Sequence, residues 1–145
     1  MKSPFVIATM TLGLAGAAIA HSGVKNAAVK ARMDAMSAIG AQMKTLGQMA
    51  KGAAAFDRDE ARSAAAIIAK HAAATPVLFE ANEDDPKSEA KPAIWLDFAD
   101  FTAKSDDLKG VALKLSKSIG SAQDLGPAMK SLGDACKACH KTYRE

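Results

Sequence analysis

Aromatic residues make up only 5% of this 145-residue chain, and it holds just two cysteines, five prolines and ten glycines. So few aromatics, beside seven methionines and abundant alanine, argue against a β-sandwich, whose strands favour Val, Thr and Tyr. Two cysteines cannot build a disulfide framework, so they serve chemistry or are incidental. The glycine and proline counts exclude collagen-like and low-complexity chains. What is present is a 49% hydrophobic complement, enough to offset the entropy of ordering the chain and to exclude intrinsic disorder. The length fits one domain. Nineteen Lys and Arg stand against 16 Asp and Glu, a net charge of +3, which lacks the strongly basic, clustered face of a nucleic-acid binder.

The amino terminus reads as an export signal. Lys2 is followed by an uncharged apolar stretch from Ser3 that ends in small residues at Ala18 and Ala20, the pattern of a secretory signal peptide cleaved after Ala20. The competing reading is a membrane anchor. The run from Ser3 to Ala20 would barely span about 30 Å of hydrocarbon, and its Gly, Thr and Ala content weakens it further. We therefore expect a signal peptide over 1–20 and one mature domain over 21–145. The mature protein is expected in the periplasm, an oxidising compartment, with no stable membrane insertion.

Four segments show helical spacing, and no stretch shows sustained strand alternation. The first runs from about Val24 to Lys51, with Ala28, Arg32, Ala35, Met36, Ile39, Met43 and Leu46 on one face, and Gly52 ends it. Asp57 offers an N-cap for the second, with Glu60 in the capping-box position, and this helix is expected to stop before Pro76. The polar, proline-broken stretch from Thr75 to Lys91 reads as a surface loop. Pro92 opens a third helix that continues through Ile94, Trp95, Phe98 and Phe101 to Gly120. A fourth follows Gly126-Pro127 and carries Met129, Leu132, Cys136, Cys139 and His140 through Tyr143. Four amphipathic helices, three of them joined by short turns, predict an all-α antiparallel four-helix bundle. The methionines of the first helix are by default core filling.

The chemistry lies in Cys136-Lys137-Ala138-Cys139-His140. Cys-x-x-Cys-His is the attachment signature of c-type haem: two thiols add across the vinyl groups of one porphyrin, and the adjacent histidine supplies an axial nitrogen to the iron. Three other uses of these residues compete. A thioredoxin-like redox pair wants a βαβ context that the helical pattern lacks. A structural zinc site needs about four ligands, and outside this cluster only His21 and His71 remain. A Cys136–Cys139 disulfide leaves His140 without a role.

With these residues in view, the mature chain resembles the class II c-type cytochromes, the cytochrome c′ family. The resemblance is carried by Cys136-x-x-Cys139-His140-x-x-Tyr143-Arg144, by Arg32-x-x-x-Met36 with the later Leu46-Gly47 and Lys51-Gly52, and by Lys91-Pro92-Ala93-Ile94-Trp95. It implies one covalent haem c held through Cys136 and Cys139, with His140 as the proximal ligand. It also implies Met36 on the distal side and Arg32 near a propionate or the distal pocket. Arg32 and Met36 are four residues apart and so share a helix face, and a first helix packed on a fourth would hold the haem between them. A charge embedded in an apolar stripe calls for a buried anionic partner, as a propionate would be. The competing partners are Asp34 and Asp57. Arg144 is a further propionate candidate. Trp95 is assigned to packing, and His71, beside a run of alanines, to an exposed or locally bonded imidazole.

The sixth coordination position divides two functions. In the c′-type reading Met36 packs over the iron without binding it, leaving a five-coordinate haem open to NO or CO and competent in one-electron transfer. In the alternative, Met36 sulfur is the sixth ligand of a low-spin His/Met electron shuttle closed to gases. Neither is an enzyme. A redox partner protein is expected, steered by Lys130, Lys137, Lys141 and Arg144. A homodimer through the first two helices accords with the resemblance.

Overall fold

The computed structural model describes residues 23–145, so the signal-peptide assignment and His21 lie outside the described residues. The chain forms α1 (Ala27–Ala50), α2 (Arg58–Leu78), a single turn α3 (Ala93–Leu96), α4 (Phe98–Ser118) and α5 (Leu125–Tyr143), with a 3₁₀ turn at Ala122–Asp124 before α5. No strand occurs among the described residues, only an isolated bridge between Ala90 and Arg144.

Local signals explain most boundaries. Asn26 caps α1, its side-chain oxygen accepting from Ala28 N and Val29 N at 2.9 and 3.1 Å. Gly52 takes φ +69° just past the end of α1, the left-handed conformation that glycine adopts without a Cβ penalty. Asp57 caps α2 through Asp59 N and Glu60 N.

Two boundaries differ from the sequence expectation. Helix α2 runs through Pro76 to Leu78. Proline removes the N–H that would bond the Ala72 carbonyl, and the Ser105 hydroxyl of α4 donates to that carbonyl instead, at 2.7 Å. The expected third helix is interrupted at Asp97, which leaves helical geometry (φ −136°, ψ 66°) and caps α4 through Asp100 N. Here the short polar side chain competes with the helix for a backbone donor.

The four long helices pack as a ring, α1 on α2, α2 on α4, α4 on α5 and α5 on α1. Neighbours run antiparallel. Arg32, early in α1, reaches the carbonyl of Leu78 at the end of α2, and Arg62, early in α2, donates to Ile119 O beyond α4. Tyr143, at the end of α5, bonds Asp100 at the start of α4. The main core joins Ile39 and Leu46, Ile68, Ala112, and Leu125 and Leu132 from all four sides. A second, aromatic cluster of Phe79, Ile94, Phe101 and Tyr143 fills the end where α5 terminates.

Candidate functional site

A cavity of about 450 Å³ opens between these two clusters, within the size range of small-molecule and cofactor pockets. Helix α5 presents Cys136, Cys139 and His140 to it, because positions three and four apart share a face. Helix α1 presents Arg32 and Met36, and Arg144 stands at the end of α5. All six residues singled out from the sequence therefore line one space. His71 is half-buried and lies outside that lining, and Trp95 is likewise absent from it.

Cys136 and Cys139 form no disulfide with each other, and both are half-buried. Burial pushes the Cys136 thiol above its usual value. It does the same for Cys139, with Lys104 opposing and with Cys136 and Asp100 adding to the rise. The His140 imidazole is held below its ordinary value, chiefly by desolvation and then by Arg144, with Glu89 opposing. Neutral imidazole is the form that ligates a metal. Two unpaired thiols, a neutral imidazole one residue on, and walls of Met, Val, Ile and Phe suit a flat apolar macrocycle with two points of covalent attachment and one axial ligand.

The two arginines have partners inside the protein. Arg32, only 3% exposed, was expected to meet a buried anion. Among the described residues its guanidinium donates to backbone carbonyls: Nε to Leu78 O at 2.9 Å, Nη1 to Glu83 O at 2.7 Å, and Nη2 to Ala81 O. It also lies over the rings of Phe79 and Trp95, 4.7 and 5.4 Å from their centroids. Neither Asp34 nor Asp57 appears among these contacts. Arg144 pairs with Glu89, Nε to Oε2 at 2.6 Å, on the surface.

Sequence reasoning missed several wall residues. The segment after α2 was assigned to a surface loop, yet its Ser88, Glu89 and Ala90 line the cavity and Asp85 is buried. Phe79, Lys104 and Ser105 also line it. The Asp85 turn, in which the carboxylate accepts from Lys87 N, is the one signal that foretells an ordered rather than solvated segment.

The family model for cytochrome c′ matches residues 27–144. Cytochrome c-556 of Agrobacterium tumefaciens (strain B2A) is 38% identical over 117 residues, covering 80% of this chain and 95% of that protein. Among solved structures, cytochrome c′ from Rhodopseudomonas palustris is similar with a TM-score of 0.77 at 26% identity, covering 83% of this chain and 98% of that one. A nitric oxide complex of a cytochrome c prime variant from Alcaligenes xylosoxidans is similar with a TM-score of 0.71 at 28% identity, covering 81% and 94%. A four-helix bundle with a haem-attachment signature late in its last helix defines a class II c-type cytochrome. The chain belongs to the cytochrome c′ family, and its cofactor is a covalently attached haem c. No helix among the described residues is long and apolar enough to cross a membrane.

Proposed function

We propose that this is an exported haem c protein of the c′ type, cleaved after Ala20 and working in the periplasm as a one-electron carrier that also binds NO or CO. Cys136 and Cys139 hold the haem by thioether bonds and His140 gives the proximal nitrogen. Met36 forms the distal wall without ligating. The observation that carries this reading is that Cys136, Cys139 and His140 of α5 share one cavity with Met36 of α1. When bound, the haem supplies a one-electron couple and an open coordination position. The protein's own residues do the rest. The thioethers prevent loss of the cofactor to the surroundings, and the apolar wall of α1 favours a diatomic ligand that needs no hydrogen bond. We assign Arg144, whose partner Glu89 is exposed, to a propionate, for which it would release that carboxylate. Of the four cations near α5, Lys130 is engaged with Asp134 and Arg144 with Glu89. Lys137 and Lys141 are thus the residues we assign to steering an acidic redox partner.

The test is the absorption spectrum of the holoprotein, ferric and dithionite-reduced, before and after CO or NO. A high-spin spectrum that shifts with gas is expected. A low-spin spectrum with a thioether-to-iron band, unmoved by CO, would make Met36 the sixth ligand and the protein an electron shuttle. Absence of covalent haem would overturn both.

A further inference from the structure

The segment of residues 79–91 is a strap held by several fastenings, one of them the Trp95 indole N–H donating to Phe79 O at 2.8 Å. Arg32 of α1 donates to the carbonyls of Leu78, Ala81 and Glu83. Asp85 accepts from Lys25 N at 2.8 Å and Asn26 N at 3.1 Å, which ties the strap to the start of α1. The carboxyl terminus is laced to it by Lys91 N to Tyr143 O and Glu145 N to Glu89 O, at 3.0 and 2.9 Å. Between these fastenings the strap gives Phe79, Ser88, Glu89 and Ala90 to the cavity wall.

Arg32 itself lines the cavity, as do Glu89 and Tyr143 of the carboxyl-terminal lacing. A cation only 3% exposed persists where its donors are satisfied, and here three of its five N–H groups are spent on strap and helix-end carbonyls. The guanidinium carbon also lies over the Phe79 and Trp95 rings, whose centroids are 6.4 Å apart. Desolvation holds its pKa below the usual value, with Glu83 and Asp84 opposing. We propose that Arg32 is a positioning residue: its guanidinium fork holds the strap 79–91 against α1 and thereby sets the wall that Phe79, Ser88, Glu89 and Ala90 give to the haem cavity. A charge role toward a propionate is the alternative that the test must separate from it. The optical part of the proposal rests on the haem reading above, whereas the strap part does not.

Lysine separates the two roles. It keeps the charge but has neither the fork that meets several carbonyls nor the plane that stacks on a ring. Holoprotein carrying Arg32→Lys, Arg32→Met or Asp85→Asn would be compared with wild type by hydrogen exchange of the 79–91 amides and by the ferric absorption spectrum. Arg32→Lys and Arg32→Met are expected to behave alike, both speeding strap exchange by about tenfold or more and shifting the ferric bands. Asp85→Asn, which loosens the strap without touching Arg32, is expected to shift the bands in the same direction. Wild-type exchange and bands in Arg32→Lys, with both lost in Arg32→Met, would overturn the proposal in favour of a simple charge role. So would a strap loosened by Asp85→Asn over an unmoved spectrum. If either Arg32 variant fails to fold, the Asp85→Asn result decides alone. If wild type carries no covalent haem, the haem reading fails and the exchange comparison still judges the strap.

Discussion

Tyr143 donates its phenolic hydrogen to Asp100 Oδ2 at 2.5 Å, pinning the last residue of α5 to the first turn of α4 only three residues past His140. The ring is buried, meets Phe101 edge-on with centroids 5.4 Å apart, and lines the cavity. The bond therefore fixes the end of the helix that presents the haem-binding residues. Lys104 adds a second hydrogen bond to the same carboxylate, at 3.0 Å.

This pair sets a pH signature for Tyr143→Phe. Burial, and then the hydrogen bond to Asp100, raises the Tyr143 pKa above its ordinary value. Its contribution is thus full below about pH 10 and is lost as the pH rises through the raised value. The hydrogen bonds from Tyr143 and then Lys104 hold Asp100 below the usual carboxylate range. That contribution is full above about pH 4 and is lost as the pH falls through the lowered value. Thermal melts should show Tyr143→Phe less stable than wild type by a constant margin through the neutral range, with the margin closing at both extremes. A margin that stayed flat on acidification would show that the Asp100 carboxylate gains nothing from the phenol.

The attachment residues predict a graded loss. Wild-type protein denatured and passed through a desalting column should retain its haem colour and the added mass of one haem. Either Cys136→Ala or Cys139→Ala leaves a single thioether, so the haem should still migrate with the chain. The double variant should release it completely. Retention in the double variant, read by mass spectrometry, would place the attachment elsewhere.

Met36 decides the coordination state. Met36→Leu keeps the volume and removes the sulfur. With a five-coordinate haem the ferric bands should stay high-spin, while CO association changes through the altered wall alone. Conversion of a low-spin spectrum to a high-spin one by this substitution would instead establish sulfur ligation.

Periodicity made the four long helices and the Cys136–His140 site legible, because amphipathic spacing and a covalent motif are local properties of the chain. One misread feature is local and the other depends on residues distant in sequence. Helical spacing continues from Ile94 and Trp95 into Phe98 and Phe101, so nothing in the pattern marks the break at Asp97, which comes from one side chain taking a backbone donor. The partner of Arg32 was equally hidden. A buried arginine announces that it needs acceptors, but backbone carbonyls are offered by every segment, and only the path of the strap brings those of Leu78, Ala81 and Glu83 to it.

The core carries ordinary packing costs. Leu132 is fully buried on α5 among residues from the other long helices, four residues before Cys136. Leu132→Ala should destabilise the protein by about 2–5 kcal/mol, measured by denaturant unfolding, while leaving the covalent haem in place. Loss of less than half of this would mean that the neighbouring methionines, Met36 and Met129 among them, collapse into the gap.

Pro76 and Ser105 form a pair whose coupling can be measured. Because proline brings no N–H, the Ala72 carbonyl depends on the Ser105 hydroxyl, itself buried. Ser105→Ala alone leaves that acceptor without a partner and should cost about 1–3 kcal/mol. Pro76→Ala restores the helix's own donor to Ala72, so in that background the same serine substitution should cost much less. The double-mutant cycle should therefore give a coupling of about 1 kcal/mol, within the range found for residues sharing one hydrogen-bond network. Additive costs would mean that water already satisfies Ala72 in the absence of the hydroxyl. In that case α2 tolerates Pro76 through the packing of its alanine face on α4, not through a cross-helix hydrogen bond.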